Sequence, residues 1–138
     1  MKINGIVETA ISVEDVQVSS RFYAELFGFE RMVEDHRFCA LDVAPGHVLL
    51  IFRKGETLEP LVLPDQRGTI PPHDARGQQH FALGIGAADF DRWCDKLRGR
   101  GLEIESIVNW PEGGKSVYFR DPDRHCVELI TPGVWKNY

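Results

Sequence analysis

Ile6-Val7-Glu8-Thr9-Ala10-Ile11-Ser12-Val13 and His80-Phe81-Ala82-Leu83-Gly84-Ile85 are two short strand-like runs, with 72 residues between Glu8 and His80, and each opens a stretch of chain that repeats the other's organisation. In the first run side chains alternate between faces: Val7, Thr9, Ile11 and Val13 share one, and Glu8, Ala10 and Ser12 the other. The carboxylate of Glu8 therefore stands opposite the branched apolar residues. Asp15 follows as a helix N-cap, Val18, Phe22 and Leu26 recur at helical spacing, and Gly28 lies where a C-cap belongs. Phe29 to Val33, Arg37 to Val43 and His47 to Phe52 read as three further strands, so the first module is βαβββ over about residues 1–53.

Between residues 54 and 79 periodicity is lost, and Pro60, Pro64, Gly68, Pro71, Pro72 and Gly77 punctuate a connection. The pattern restarts at His80. Asp89 precedes a helix with Phe90, Trp93, Cys94 and Leu97 toward a core, and Leu102 to Val108, Lys115 to Phe119 and Cys126 to Thr131 complete a second βαβββ module over about 80–133. Asp121-Pro122-Asp123-Arg124 has the chemistry of a turn between the last two strands. The fold class read from this order is α+β.

A chain of 138 residues with 43% hydrophobic content supports one compact domain built from two small modules. The net charge of −5 is spread along the chain and basic residues are scattered singly, which argues against nucleic acid as a partner and for a small molecule. No apolar run reaches the roughly 20 residues of a membrane span. Cys39, Cys94 and Cys126 are odd in number with no C-x-x-C spacing, and the start of the sequence lacks a signal-like segment, so the expected location is the cytoplasm.

In the last strand Cys126, Glu128 and Ile130 alternate with Val127 and Leu129, which puts Glu128 opposite the apolar face. If each sheet covers its helix with one face and curls around a cavity with the other, Glu8, His80 and Glu128 form one imidazole and two carboxylates suited to a divalent ion: Mn, Fe, Zn, Ni or Mg. Taken singly, each has the plainer reading of a solvated residue; equivalent placement in a duplicated unit is what raises them. Tyr118 alternates with Phe119 so as to face the cavity as a substrate contact, or else is a packed aromatic with a wet hydroxyl. His36 and His73 are looser candidates for proton transfer, and their plainer reading is solvated surface. Cys126 shares a face with Glu128 and reads as an inert thiol; Trp110-Pro111-Glu112-Gly113-Gly114 reads as a covering loop or a hairpin connection.

The elements Glu8 to Asp15, Arg21-Phe22-Tyr23, Leu26-Phe27-Gly28-Phe29, His80-Phe81-Ala82-Leu83, Tyr118-Phe119-Arg120-Asp121-Pro122-Asp123 and Val127-Glu128-Leu129 together resemble the vicinal oxygen chelate superfamily of glyoxalases, bleomycin resistance proteins and extradiol dioxygenases. The resemblance covers nearly the whole chain. It implies a single domain over 1–138, with curled mixed sheets forming a half-open, barrel-like cavity. It also implies metal ligands on the first and last strands of each module: Glu8, a residue near Leu49, His80 and Glu128. Leu49 has no donor atom, Glu8 stands where the family commonly has His, and Ala10 stands where fosfomycin-modifying members carry a hydroxyl. The implied function is a glyoxalase-like, metal-dependent enzyme of lyase or isomerase type, with Glu8 and Tyr118 catalytic. The alternatives are a metal-free binding protein of the bleomycin-resistance type and an extradiol-type dioxygenase. Exposed sheet edges and the family's habit imply a homodimer with sites shared between chains.

Overall fold

The computed structural model describes residues 1–138, which divide into two compact units, 1–77 and 78–138. Each unit contains a curled, unclosed four-stranded mixed sheet with one principal helix.

In unit one the elements are β1 (Glu8–Val13), α1 (Val16–Phe27), β2 (Glu30–Glu34), β3 (Phe38–Ala44) and β4 (His47–Arg53). The sheet order is β1-β4-β3-β2; β1 runs parallel to β4 and the other pairs are antiparallel. Asp15 does cap α1, its Oδ1 accepting from the backbone N–H groups of Gln17 and Val18 at 2.8 and 3.0 Å. Gly28 ends the helix at φ 79°, its N–H donating to the Ala24 carbonyl. The buried stripe of α1 is Val16, Ser19, Ser20, Tyr23 and Leu26. Val18, read from spacing as core, is 52% exposed, because the stripe is rotated by one position and is lined partly by small hydroxyl residues. Ile11, Val13, Cys39, Leu41, Leu49 and Ile51 form the sheet side of this core, all nearly sealed from solvent.

The stretch read as an aperiodic connection holds a further hairpin, β5 (Leu61–Val62) with β6 (Thr69–Ile70). Two-residue strands are too short to show alternation, which is why periodicity missed them. The segment is tied to unit one: Asp74 Oδ1 accepts from Gly55 N at 2.9 Å and Thr57 Oγ1 at 3.1 Å, and the His73 ring meets Phe52 edge-on with centroids 4.7 Å apart.

Unit two repeats the plan with β7 (His80–Gly84), a short 3₁₀ turn (Ala87–Asp89), α2 (Phe90–Gly99), β8 (Ser106–Asn109), β9 (Lys115–Arg120) and β10 (Cys126–Ile130), in the order β7-β10-β9-β8. Asp89 makes no capping bond; its carboxylate takes the Arg92 guanidinium at 2.9 Å instead. Phe90, Cys94 and Leu97 are the buried positions of α2, while Trp93 is only half-buried, with the Lys96 ammonium 4.5 Å from its ring centre. Trp110 to Gly114 is a hairpin turn closed by Trp110 N–H to the Gly114 carbonyl at 2.8 Å, with the indole N–H held by Ser116 Oγ at 2.8 Å.

Candidate metal centre

Strand register decides which side chains can meet. In unit two, Cys126 pairs with His80 and Arg120, and Glu128 with Ala82 and Tyr118, so His80, Tyr118 and Glu128 project from one face of the sheet. The opposite face carries Phe81, Val117, Phe119, Val127 and Leu129, all buried, so the polar set is held by strands whose other side is locked into the core.

The contacts are short. Tyr118 Oη donates to Glu128 Oε1 at 2.9 Å, and Glu128 Oε2 lies 3.3 Å from His80 Nε2. The Glu128 side chain is 7% exposed and that of His80 53%, so the carboxylate is the buried anchor and the imidazole faces solvent. His80 Nδ1 lies 3.0 Å from the Cys126 carbonyl oxygen, which can only accept; Nδ1 therefore carries a proton and donates. Burial first, and then the bond to Glu128, raises the Tyr118 hydroxyl above the ordinary phenol range, which keeps it a donor.

With its Nδ1 proton committed to that carbonyl, His80 turns Nε2 toward a carboxylate oxygen of Glu128. Either a proton on Nε2 or a metal ion shared with Glu128 Oε2 satisfies the pair at that distance. Metal–nitrogen and metal–oxygen bonds of about 2.0–2.2 Å at tetrahedral or right angles separate two ligand atoms by about 2.8–3.6 Å; the 3.3 Å spacing fits one coordination sphere. The Nδ1 bond to a backbone carbonyl is also the usual device that orients a ligating imidazole. Within unit two no third His, Cys, Asp or Glu joins the pair.

Two residues that sequence reasoning passed over shape this site. His125 is fully buried, and its Nδ1 accepts from the Gln79 N–H at 3.0 Å, fixing the backbone immediately before His80. Its own N–H donates to Asp121 Oδ1 at 2.7 Å. The signal was its place at the end of the Asp121 turn, where a buried acceptor sets the next strand's start. Arg120 shares the His80–Cys126 row but is occupied, its guanidinium bound to both Glu105 oxygens at 2.9 and 3.0 Å, which holds the Glu105 carboxyl below its usual range.

Glu8 lies in the other unit. It is exposed and lines one end of a cavity of about 730 Å³ whose walls include Ala10, Phe38, Leu50 and Phe52, with Leu61 and Ile70 of the β5–β6 hairpin beside them. His73 also lines this cavity, while His36 is exposed in the turn before β3. Leu49 is on the wrong face: it is 1% exposed, in the core beneath α1. The position equivalent to Glu128 is Leu50, since Leu50 pairs with Ala10 and Ala40 as Glu128 pairs with Ala82 and Tyr118. The two units thus differ by chemistry at matched positions: a carboxylate and a phenol in unit two, leucine and alanine in unit one.

The family model that matches residues 5–129 is described as the Glyoxalase/Bleomycin resistance protein/Dioxygenase superfamily. Among curated relatives, the chain is 30% identical over 135 residues to a metallothiol transferase FosB of Bacillus licheniformis, covering 97% of this chain and 79% of that protein. It is 26% identical over 136 residues to the fosfomycin resistance protein FosX of Listeria innocua, covering 92% and 89%. Among solved structures, a lactoylglutathione lyase from Agrobacterium tumefaciens superposes with a TM-score of 0.87 at 28% identity, covering 99% of both chains. With a model match over most of its length and a close structural likeness to a lactoylglutathione lyase, the chain belongs to the glyoxalase/bleomycin resistance/dioxygenase, or vicinal oxygen chelate, superfamily.

Proposed function

We propose that this protein is a metal-dependent, glyoxalase-like enzyme acting on a small oxygen-bearing substrate by lyase or isomerase-type chemistry, with His80, Glu128 and Glu8 as its metal ligands. The observation that carries the reading is the facing pair of metal-capable atoms, His80 Nε2 and Glu128 Oε2, at 3.3 Å. Glu8 joins the set as the repeat equivalent of His80: it pairs with Val48 on the parallel neighbour as His80 pairs with Cys126. Relatives named metallothiol transferases support a divalent ion as cofactor.

When bound, such an ion supplies Lewis-acid polarisation of a substrate oxygen. The chain's own groups do the rest. Tyr118 holds one oxygen of Glu128 and so aims the other at His80, and its one O–H would stabilise an oxyanion on the substrate by turning from Glu128 to that oxygen. Glu8, a carboxylate at the mouth of an apolar cavity, is assigned proton abstraction as well as ligation.

A proton on His80 Nε2 would satisfy the same contact as a metal, and metal analysis separates the two. Protein purified without chelator is expected to hold close to one divalent ion per chain, lost in both His80→Ala and Glu128→Ala. Failure to bind Mn²⁺, Fe²⁺ or Zn²⁺ would establish instead the metal-free binding module. Once a substrate is in hand, Glu8→Gln should lower turnover at least about a hundredfold, the scale of general-base catalysis, while leaving the thermal midpoint nearly unchanged. Full activity in that variant would remove Glu8 from both roles.

A further inference from the structure

We infer that the cavity of unit one takes a flat aromatic ring bearing an anionic substituent. The cavity's volume of about 730 Å³ is that of a site for a drug-sized ligand rather than for a two- or three-carbon fragment. Its floor is Ala10 and Leu50, a small and a branched side chain that leave a broad apolar surface. At one end three rings come together: Phe38 and Phe52 with centroids 4.8 Å apart and planes tilted by 31°, and Phe52 and His73 at 4.7 Å and 70°. Ring faces and edges presented at mixed angles receive another aromatic ring in offset or edge-on contact better than they receive an alkyl chain.

Arg37 lines the cavity immediately before Phe38 and is only half-exposed; its charge is felt by the exposed Asp35 carboxylate, but no carboxylate lies in ion-pair contact with it. An uncommitted guanidinium beside an aromatic set is a bidentate receptor for a carboxylate or a similar oxyanion. Glu56 and Glu59 also line the cavity, but both are exposed and their charges are screened by solvent. Glu8 marks the opposite end. From the Glu8 row to the Phe38–Phe52 row is four strand residues, about 13 Å at about 3.3 Å per residue, which leaves room for a bicyclic ring and its substituent. The inference adds a substrate class to the enzyme proposed above, because Glu8 borders this cavity, but the binding it asserts requires no metal.

The test is a titration of the full chain as purified, repeated in EDTA, with naphthoate, followed by calorimetry and by ring-proton NMR. Saturable binding is expected under both conditions, with the Phe38, Phe52 and His73 signals shifting. The saturated decahydronaphthoate and the cationic naphthylmethylammonium should each bind at least about tenfold more weakly, a difference of 1.4 kcal/mol. Arg37→Gln, verified as folded by an unchanged melting curve, should weaken naphthoate by a similar factor. No saturation at millimolar naphthoate, equal binding of either comparison probe, an unaffected Arg37→Gln variant, or shifts confined to unit two would each overturn the inference. Naphthoate binding by a protein that holds no metal would leave this inference standing and remove the metal-dependent reading; metal binding without naphthoate binding would do the reverse.

Discussion

The imidazole of His125 is fully buried, and a partly buried backbone N–H, that of Gln79, depends on its Nδ1. Removing the acceptor leaves that donor unpaired, so His125→Ala should cost about 1–3 kcal/mol of unfolding free energy. It should also weaken metal binding at His80 by about tenfold, the low end for supporting residues. His125→Asn restores an acceptor near the same place and should recover part of both; metal affinity unchanged in His125→Ala would show that the histidine serves the fold alone. Cysteines allow a second test at this scale. Burial pushes the Cys39 thiol up to about 11 and raises that of Cys94, while Cys126 is partly exposed. Mass spectrometry after alkylation of native protein at neutral pH should find Cys126 modified first, with Cys39 and Cys94 reacting only on unfolding. Because Cys39 is raised in the folded state, the stability it contributes is complete below about pH 9 and is lost as pH rises toward 11. Cys39→Ala should flatten that alkaline decline in denaturant midpoints.

At the scale of elements, α1 was legible because each end is marked by local chemistry. Asp15→Ala should cost about 1 kcal/mol by leaving the Gln17 and Val18 N–H groups uncapped. Gly28→Ala should cost about 1–2 kcal/mol from left-handed strain alone, since an added Cβ at φ 79° meets nothing within 4 Å. Urea denaturation resolves both, and a change in either below about 0.3 kcal/mol would mean the helix ends are set by packing instead. The strands and their faces were equally readable: alternation alone put Glu8 and Glu128 opposite the apolar residues, where the register places them. The helix stripe was not, since Ser19 and Ser20 are buried and Val18 is exposed, a reversal of hydropathy set by the small space under α1. Nor was the β5–β6 hairpin or the displacement from Leu49 to Leu50 as the counterpart of Glu128; strand pairing, which fixes that correspondence, is a property of chain segments far apart in sequence. The residues that support a site, His125 and Arg120, were missed for a related reason: their roles are hydrogen bonds to backbone or to a distant carboxylate.

For the whole molecule, the matched positions of the two units argue that duplication was followed by division of labour, one sheet face keeping the donors His80, Tyr118 and Glu128 and the other an apolar floor at Ala10, Ala40 and Leu50. Neither face alone supplies the proposed ligand set. Each sheet also ends in unpaired edges, β1 and β2 in one unit and β7 and β8 in the other, and Val7, just before β1, and Met32 and Val33 of β2 are all more than half exposed. Open edges with apolar residues beside them are stabilised by association. We therefore propose a homodimer with two shared sites, each combining Glu8 of one chain with His80 and Glu128 of its partner. Mixing Glu8→Ala with His80→Ala protein under conditions of subunit exchange should regenerate one intact ligand set in each mixed dimer, recovering metal binding that neither variant shows alone. Exchange can be followed independently by mass-tagged subunits in native mass spectrometry. Mixed dimers that form without regaining metal, or a wild-type protein that sediments as a monomer, would exclude sharing between chains.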